Sequence, residues 1–384
     1  MKYQISQKVE QMAPSGIRAF FDLVLGMKDV ISLGVGEPDF STPWHIREKA
    51  IFSLEQGYTS YTSNKGMIEL RKEIAVFLKG RFGLSYDPEN EILITVGVSE
   101  GLDLVMRALL NPGDKVIVPE PCYVSYVPVV ELAGGKAVIV KTTIENNFKM
   151  TPDQIEEAAS SGAKALMINY PSNPTGTSYT KQELKAIAKV VKKNNLIVIS
   201  DEIYDELTYD FDHTAFPSLD DMKDHVVYFN GFSKAYAMTG FRLGYACGPE
   251  KIIQAMTKIH QYTMLCAPIT AQMAAIEALK NGFKEVQAMK REYNRRRQFM
   301  VEALNDLGLK CHKPDGAFYV FPSIKKSGES SMDFAKNLLM KEKVALVPGV
   351  AFGPSCEGFV RISYASSYEN LKEAAARIAK YLKK

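Results

Sequence analysis

Short apolar runs alternate with amphipathic stretches through most of the chain. The runs Glu91–Gly97 (EILITVG), Lys115–Pro119 (KVIVP), Lys136–Val140 (KAVIV), Ala165–Asn169 (ALMIN), Leu196–Ser200 (LIVIS) and Val226–Asn230 (VVYFN) are rich in β-branched residues and almost unbroken in apolarity. That is the pattern of strands in a parallel sheet covered on both faces. Between two of them, Thr180-Lys-Gln-Glu183 forms a capping box, followed by Leu184, Ile187, Ala188 and Val191 at helical spacing. Strands alternating with helices over residues 46–280 predict an α/β core.

The pattern changes from residue 281 onward. A charged helix is predicted over Lys284–Leu307, with EYNRRR in its middle read as a solvated face. A strand-like Ala317–Ile324, a helix over Met332–Lys343, a short strand Phe359–Ser363 and a last helix opened by a second capping box, Ser366-Ser-Tyr-Glu369, read as a smaller α+β domain. The expected division is an N-terminal arm with part of the small domain (1–45), a large domain (46–280) and a small C-terminal domain (281–384). A small-molecule site is expected in the cleft between them.

Composition narrows the function. The chain has 384 residues, 46% hydrophobic and 24% charged, as in an average globular enzyme. Its 47 Lys+Arg against 44 Asp+Glu leave +3, too little and too scattered for a nucleic-acid binder. Charges interrupt every apolar stretch well before membrane-spanning length, and the opening MKYQISQKVEQM lacks the apolar core of a secretory signal. A cytoplasmic enzyme with no membrane partner is expected. Five dispersed cysteines without a CxxC fit a reducing compartment. Five histidines without HxxxH or HExxH spacing give a metal no support, and most are expected at the surface or its boundary.

The segment Leu33-Gly-Val-Gly36-Glu-Pro-Asp39 has two glycines but not the third that a dinucleotide fingerprint requires, and no GxxxxGK[ST] is present. By themselves Gly34 and Gly36 signify a turn. A stronger set lies at strand ends. Ser200-Asp201-Glu202-Ile203-Tyr204 places a carboxylate at the carboxyl edge of a predicted strand, where open α/β sheets bind ligands. The next strand runs out into Asn230-Gly231-Phe232-Ser233-Lys234, with Arg242 downstream. A lysine there is either half of a surface salt bridge or an amine that forms a Schiff base with an aldehyde cofactor.

The ordered segments SLGVGEPDFSTP, YTSNKGMIELR, NYPSNPTG, SDEIYDELTY, GFSKAYAMTGFRLGY and GFVRISYA decide between these. Through them the chain resembles, over nearly its whole length, the class I aminotransferases of the aspartate/aromatic type, most similar to the branch with acetyl-diaminopimelate and aromatic aminotransferases. The resemblance implies the aspartate aminotransferase fold, pyridoxal 5'-phosphate (PLP) as cofactor, a homodimer, and ping-pong transfer from an L-amino acid to a 2-oxo acid such as 2-oxoglutarate. A C–S lyase, or an enzyme forming aminocyclopropane carboxylate, would share the same cofactor residues.

Carried onto matching positions, the resemblance gives Lys234 the cofactor aldehyde and the donor Cα proton. Asp201 would bond the pyridine nitrogen, Tyr204 and Asn173 the ring hydroxyl, and Tyr123 would stack on the ring unless it merely packs beside Pro121. The phosphate would meet Val98 and Ser99 at the start of a helix expected after Gly97-Val98-Ser99, with Arg242 and, from a partner subunit, Tyr61. Arg361 would fork onto the substrate carboxylate, with Gly36 backbone and Asn173 assisting. Two departures stand out: Gly231 occupies a position where relatives often have a phosphate-binding serine, so another group must replace it, and Phe241 stands where many have Trp.

Overall fold

A computed structural model describes residues 4–12 and 26–383. The described residues form strands β1 (Ile31–Ser32), β2 (Ile92–Thr95), β3 (Lys115–Glu120), β4 (Lys136–Lys141), β5 (Ala163–Asn169), β6 (Ile197–Asp201), β7 (Val226–Gly231) and β8 (Gly244–Cys247). These are followed by β9 (Tyr319–Val320), β10 (Val344–Ala345), β11 (Val347–Pro348) and β12 (Val360–Ser363). All six apolar runs become strands of one seven-stranded sheet, ordered β2-β8-β7-β6-β5-β3-β4. Its pairings are parallel except at β8, which runs antiparallel to both β2 and β7.

Both faces of this sheet are apolar because both are covered. Along β5, Leu166 and Ile168 enter one cluster with Ile117, Val198 and Tyr228. Ala165 and Met167 enter another with Val116, Ile199 and Phe229. Side chains alternate with a period of two, so burial on each side makes the run look continuous. The strand β8 was not expected from the pattern: Gly244-Tyr-Ala-Cys247 is short and glycine-led, too weak a signal beside its neighbours.

The C-terminal region builds a three-stranded antiparallel sheet, β11-β12-β9, packed with helices Phe283–Asp306, Ser331–Glu342 and Tyr368–Leu382. The pair β1–β10 brings residues 31–32 into this part of the molecule. The Thr180 box forms as expected, with Glu183 N–H donating to Thr180 Oγ1 and Thr180 N–H to Glu183 Oε2.

Three expectations are corrected. The last helix is capped one residue later: Ser367, not Ser366, accepts from the Asn370 N–H at 3.2 Å, so the box to Glu369 does not form. The strand predicted over Ala317–Ile324 is reduced to Tyr319–Val320. The EYNRRR face is not wholly solvated. Arg297 is fully buried and forks onto Asp210 at 2.7 and 3.0 Å, while Arg296 grips both oxygens of Asp39 at 2.8 and 2.9 Å. Bidentate pairing is what makes such burial tolerable. His45, His225 and His312 are half-buried, as expected of most histidines, but His213 and His260 lie inside. Each sits 2.6 Å from a glutamate, Glu202 and Glu100 respectively.

Candidate active site

Strand order brings the chemistry to one edge. The carboxyl ends of β5, β6 and β7 deliver Asn169, Asp201 and Gly231, and the last two lead into Tyr204 and Lys234. The antiparallel return through β8 begins just after Arg242, so this guanidinium lies at the same edge as Lys234. A cavity of about 860 Å³ opens there. It is lined by ten of the eleven residues singled out in the sequence: Gly36, Val98, Ser99, Tyr123, Asn173, Asp201, Tyr204, Lys234, Arg242 and Arg361. Tyr61 is the exception; it is 82% exposed and lies outside the lining.

Asp201 sits under the cavity floor, 4% exposed. Its Oδ2 accepts from the Tyr126 hydroxyl at 2.7 Å and its Oδ1 from the Ile203 N–H at 3.3 Å. Burial pushes the carboxyl up to about 6, and the two hydrogen bonds oppose that rise. Asn169, opposite Asp201 in the β5–β6 ladder, donates to the Asp201 carbonyl at 2.8 Å and accepts from the Asn173 N–H at 2.9 Å. The NPTG turn is thereby fixed to the floor.

Lys234 lines the cavity with its Nζ 2.6 Å from the Gly36 carbonyl oxygen and 5.8 Å from the ring centres of Tyr204 and Phe318. Enclosure first, then the Arg361 charge, lower its amine to about 8. About a tenth is therefore unprotonated at pH 7, far more than for an ordinary lysine, as a nucleophilic or basic amine requires.

The anion end is a helix start. Helix Gly97–Leu109 begins at Gly97, three residues before the expected start after Ser99, so Val98 and Ser99 lie in its first turn. No side chain caps it. Instead Glu100 Oε2 accepts the Val96 N–H at 2.5 Å and Glu100 Oε1 is held by His260 Nδ1 at 2.6 Å. The next N–H groups are left for a ligand. Gly97 has φ +74°, and a Cβ there would lie 2.7 Å from Arg242 Nη2; a Cβ on Gly244 would lie 2.7 Å from the Val98 nitrogen. Both glycines keep a backbone cradle open beside a guanidinium. A Cβ at Gly231 would come within 2.9 Å of Gly244 Cα, so no serine fits the ladder there; Ser233 lines the cavity and is the hydroxyl this segment offers.

At the opposite wall Arg361 is 2% exposed. Its Nη1 donates to Asn173 Oδ1 at 2.9 Å and its Nη2 to the Gly34 carbonyl at 2.5 Å, while its buried Nε has no partner. The guanidinium lies over the rings of Tyr319 and Phe352, 4.6 and 5.0 Å from their centres. A buried cation with an unspent donor beside a cavity suits a carboxylate. Tyr123, half-buried, sets its ring edge-on to Tyr126 at 5.6 Å.

A cavity-lining amine of lowered basicity, a buried carboxyl, an uncapped helix start with a guanidinium and an aromatic wall together fit PLP. Four residues escaped the sequence reading: Tyr126, Tyr319, Asn169 and Glu100. Tyr126 carried a usable signal, three residues after Tyr123 at the mouth of a helix, and Asn169 opened the NYPSNPTG segment; Tyr319 and Glu100 depend on partners distant in sequence.

Comparison with known proteins places this geometry. The family described as aminotransferase class I and II matches residues 28–378. The chain is similar to an aspartate aminotransferase of Pyrococcus abyssi (46% identity, covering 99% of this chain and 98% of that one). It is also similar to aromatic-amino-acid aminotransferase 2 of Thermococcus litoralis (43%, 99% and 98%). Among solved structures, the aspartate aminotransferase of Thermus thermophilus with maleate superposes with a TM-score of 0.94 at 39% identity, over 99% of this chain and 100% of that one.

Proposed function

The chain belongs to the class I and II aminotransferases, and from that premise we propose which residues of this PLP-dependent enzyme perform the transfer and on what. The observation that carries the reading is that Lys234, Asp201 and Arg361 line one cavity. Bound there, PLP supplies an aldehyde that joins an amine and a ring that draws charge away from the carbon bearing it.

In this reading Lys234 holds the cofactor, is displaced by the amino donor, and then moves the proton at the donor Cα. Its lowered basicity suits both tasks. Asp201 keeps the pyridine nitrogen protonated, and Tyr204 and Asn173 hold the ring hydroxyl. Val98, Ser99 and Arg242 hold the phosphate, joined by Ser233 and by Tyr61 of a second subunit; the exposure of Tyr61 supports such sharing. Tyr123 covers the ring. Arg361 presents Nε and Nη2 to the substrate carboxylate beside Gly36, and so aligns the Cα–H bond with Lys234.

The donor proposed is an L-amino acid of the aspartate or aromatic kind, with 2-oxoglutarate as acceptor, since relatives at 46% and 43% identity carry the names aspartate and aromatic-amino-acid aminotransferase. Amino transfer is favoured over elimination or cyclisation for the same reason. The proposed working form is a cytoplasmic homodimer whose chains divide at about 45 and 280; the β1–β10 pairing supports assigning part of the N-terminal arm to the small domain. Among the described residues no helix is long and apolar enough to cross a membrane. The test is a half-reaction screen in which the loaded protein is mixed with each L-amino acid and the cofactor's visible band is followed. Loss of the band with release of the matching 2-oxo acid supports the reading. Protein that stays colourless with PLP and yields no labelled Lys234 peptide after borohydride treatment overturns it.

A further inference from the structure

Tyr319 touches three parts of the site at once. It stands on β9, directly opposite Ser363 of β12, which makes Arg361 its diagonal neighbour on the same face. Its ring therefore lies under the Arg361 guanidinium, 4.6 Å from centre to carbon. Its hydroxyl is 2.8 Å from the Tyr204 hydroxyl, with both side chains buried. A Cβ on Gly36 would lie 2.7 Å from that same oxygen, so the glycine is what admits the ring.

Each phenol has one proton. Burial pushes both hydroxyls above their ordinary range, so both stay protonated. If Tyr204 spends its proton on the ring hydroxyl of the cofactor, the 2.8 Å contact can be made only with Tyr319 as donor and Tyr204 as acceptor. A hydroxyl that accepts one hydrogen bond becomes a stronger donor in the next.

We propose that Tyr319 is a positioning residue for amino transfer. Its hydroxyl donates to Tyr204 and fixes the direction of the Tyr204 proton, while its ring supports Arg361. The inference rests on the reading that Tyr204 faces the cofactor's ring oxygen.

The test is a pH titration of the visible band in the loaded wild type, Tyr319→Phe, Tyr204→Phe and the double variant. Phe keeps the ring and its volume, so the Arg361 support survives. Tyr319→Phe is expected to move the midpoint in the same direction as Tyr204→Phe, by about 0.5–1 pH unit. The double variant is expected to match Tyr204→Phe alone, because the Tyr319 hydroxyl acts only through Tyr204. The KM for the amino donor should stay within about twofold of wild type, as the charge-binding wall is intact. If Tyr319→Phe leaves the midpoint unmoved while Tyr204→Phe shifts it, or if the two shifts simply add, the inference is overturned. If neither variant moves it, the Tyr204 reading falls and the inference falls with it.

Discussion

Lys234 Nζ donates to the Gly36 carbonyl oxygen at 2.6 Å, and two residues earlier the Gly34 carbonyl accepts from Arg361 Nη2 at 2.5 Å. One short loop thus holds the amine at the end of β7 and the guanidinium on β12. The amine and the guanidinium are therefore tied to the same segment, Gly34–Gly36.

Lys234→Ala removes the amine proposed to hold the cofactor and move the proton. Turnover should fall by about a thousandfold or more, in line with the worth of a positioned base. Steady-state assay with a good donor measures it, and a variant above a thousandth of wild-type rate would remove Lys234 from this role.

In the ligand-free protein the amine, lowered to about 8 by enclosure and by Arg361, should gain reactivity as pH rises through 8 rather than through the usual lysine range. The protonated form is the one disfavoured, so the sign is a reactive amine at lower pH. Competitive labelling of the Lys234 peptide by mass spectrometry gives the midpoint. Arg361→Met deletes a cation that opposes protonation and should move the midpoint upward; a downward move contradicts the electrostatic account.

The Tyr126 hydroxyl stabilises the charged form of Asp201, whose carboxyl stands at about 6. Tyr126→Phe should therefore raise that carboxyl further, and the acid limb of PLP affinity should shift upward by about one pH unit. Fluorescence titration of cofactor binding between pH 5 and 8 would show an unmoved limb if Tyr126 has no such influence.

Gly97→Ala puts a Cβ 2.7 Å from Arg242 Nη2 and forces φ +74° on a residue with a side chain. The left-handed conformation alone costs about 1–2 kcal/mol, so PLP should bind about tenfold more weakly or worse. Binding of pyridoxal, which lacks the phosphate, should change little. Equal losses for the two ligands would show that the cradle is not the phosphate site.

Tyr61 lies outside the cavity at 82% exposure. If it completes a neighbour's phosphate site, Tyr61→Phe should weaken PLP binding about tenfold without altering the amine chemistry at Lys234. Sedimentation should show a dimer, and a monomer with full PLP affinity would exclude the sharing.

The sheet and the site were legible in different ways. The runs that became β2, β3, β5, β6 and β7 showed themselves because burial on both faces leaves few polar positions to hide them, while the edge strand β4 showed itself by its apolar centre between two exposed lysines. β8 did not, since Gly244-Tyr-Ala-Cys247 opens on a glycine and carries little apolar signal; β9 did, though the expected Ala317–Ile324 shrank to Tyr319–Val320. Asp201, Lys234, Arg242 and Arg361 stood in segments whose order already carried a resemblance. The buried arginines Arg296 and Arg297 were misread because their partners, Asp39 and Asp210, lie 257 and 87 residues away. Tyr319 and Glu100 were invisible for the same reason: their meaning lies in the hydroxyl and imidazole across from them, not in their neighbours along the chain.

The antiparallel turn from β7 to β8 has one more effect. Lys234 and Arg242 both lie in the one connection between these strands, so under the proposed roles the amine that holds the cofactor and the charge that meets its phosphate share one scaffold. In that reading the connection would act as a caliper on the cofactor, with the aldehyde at one jaw and the phosphate at the other, and an analogue of another length would satisfy one jaw only.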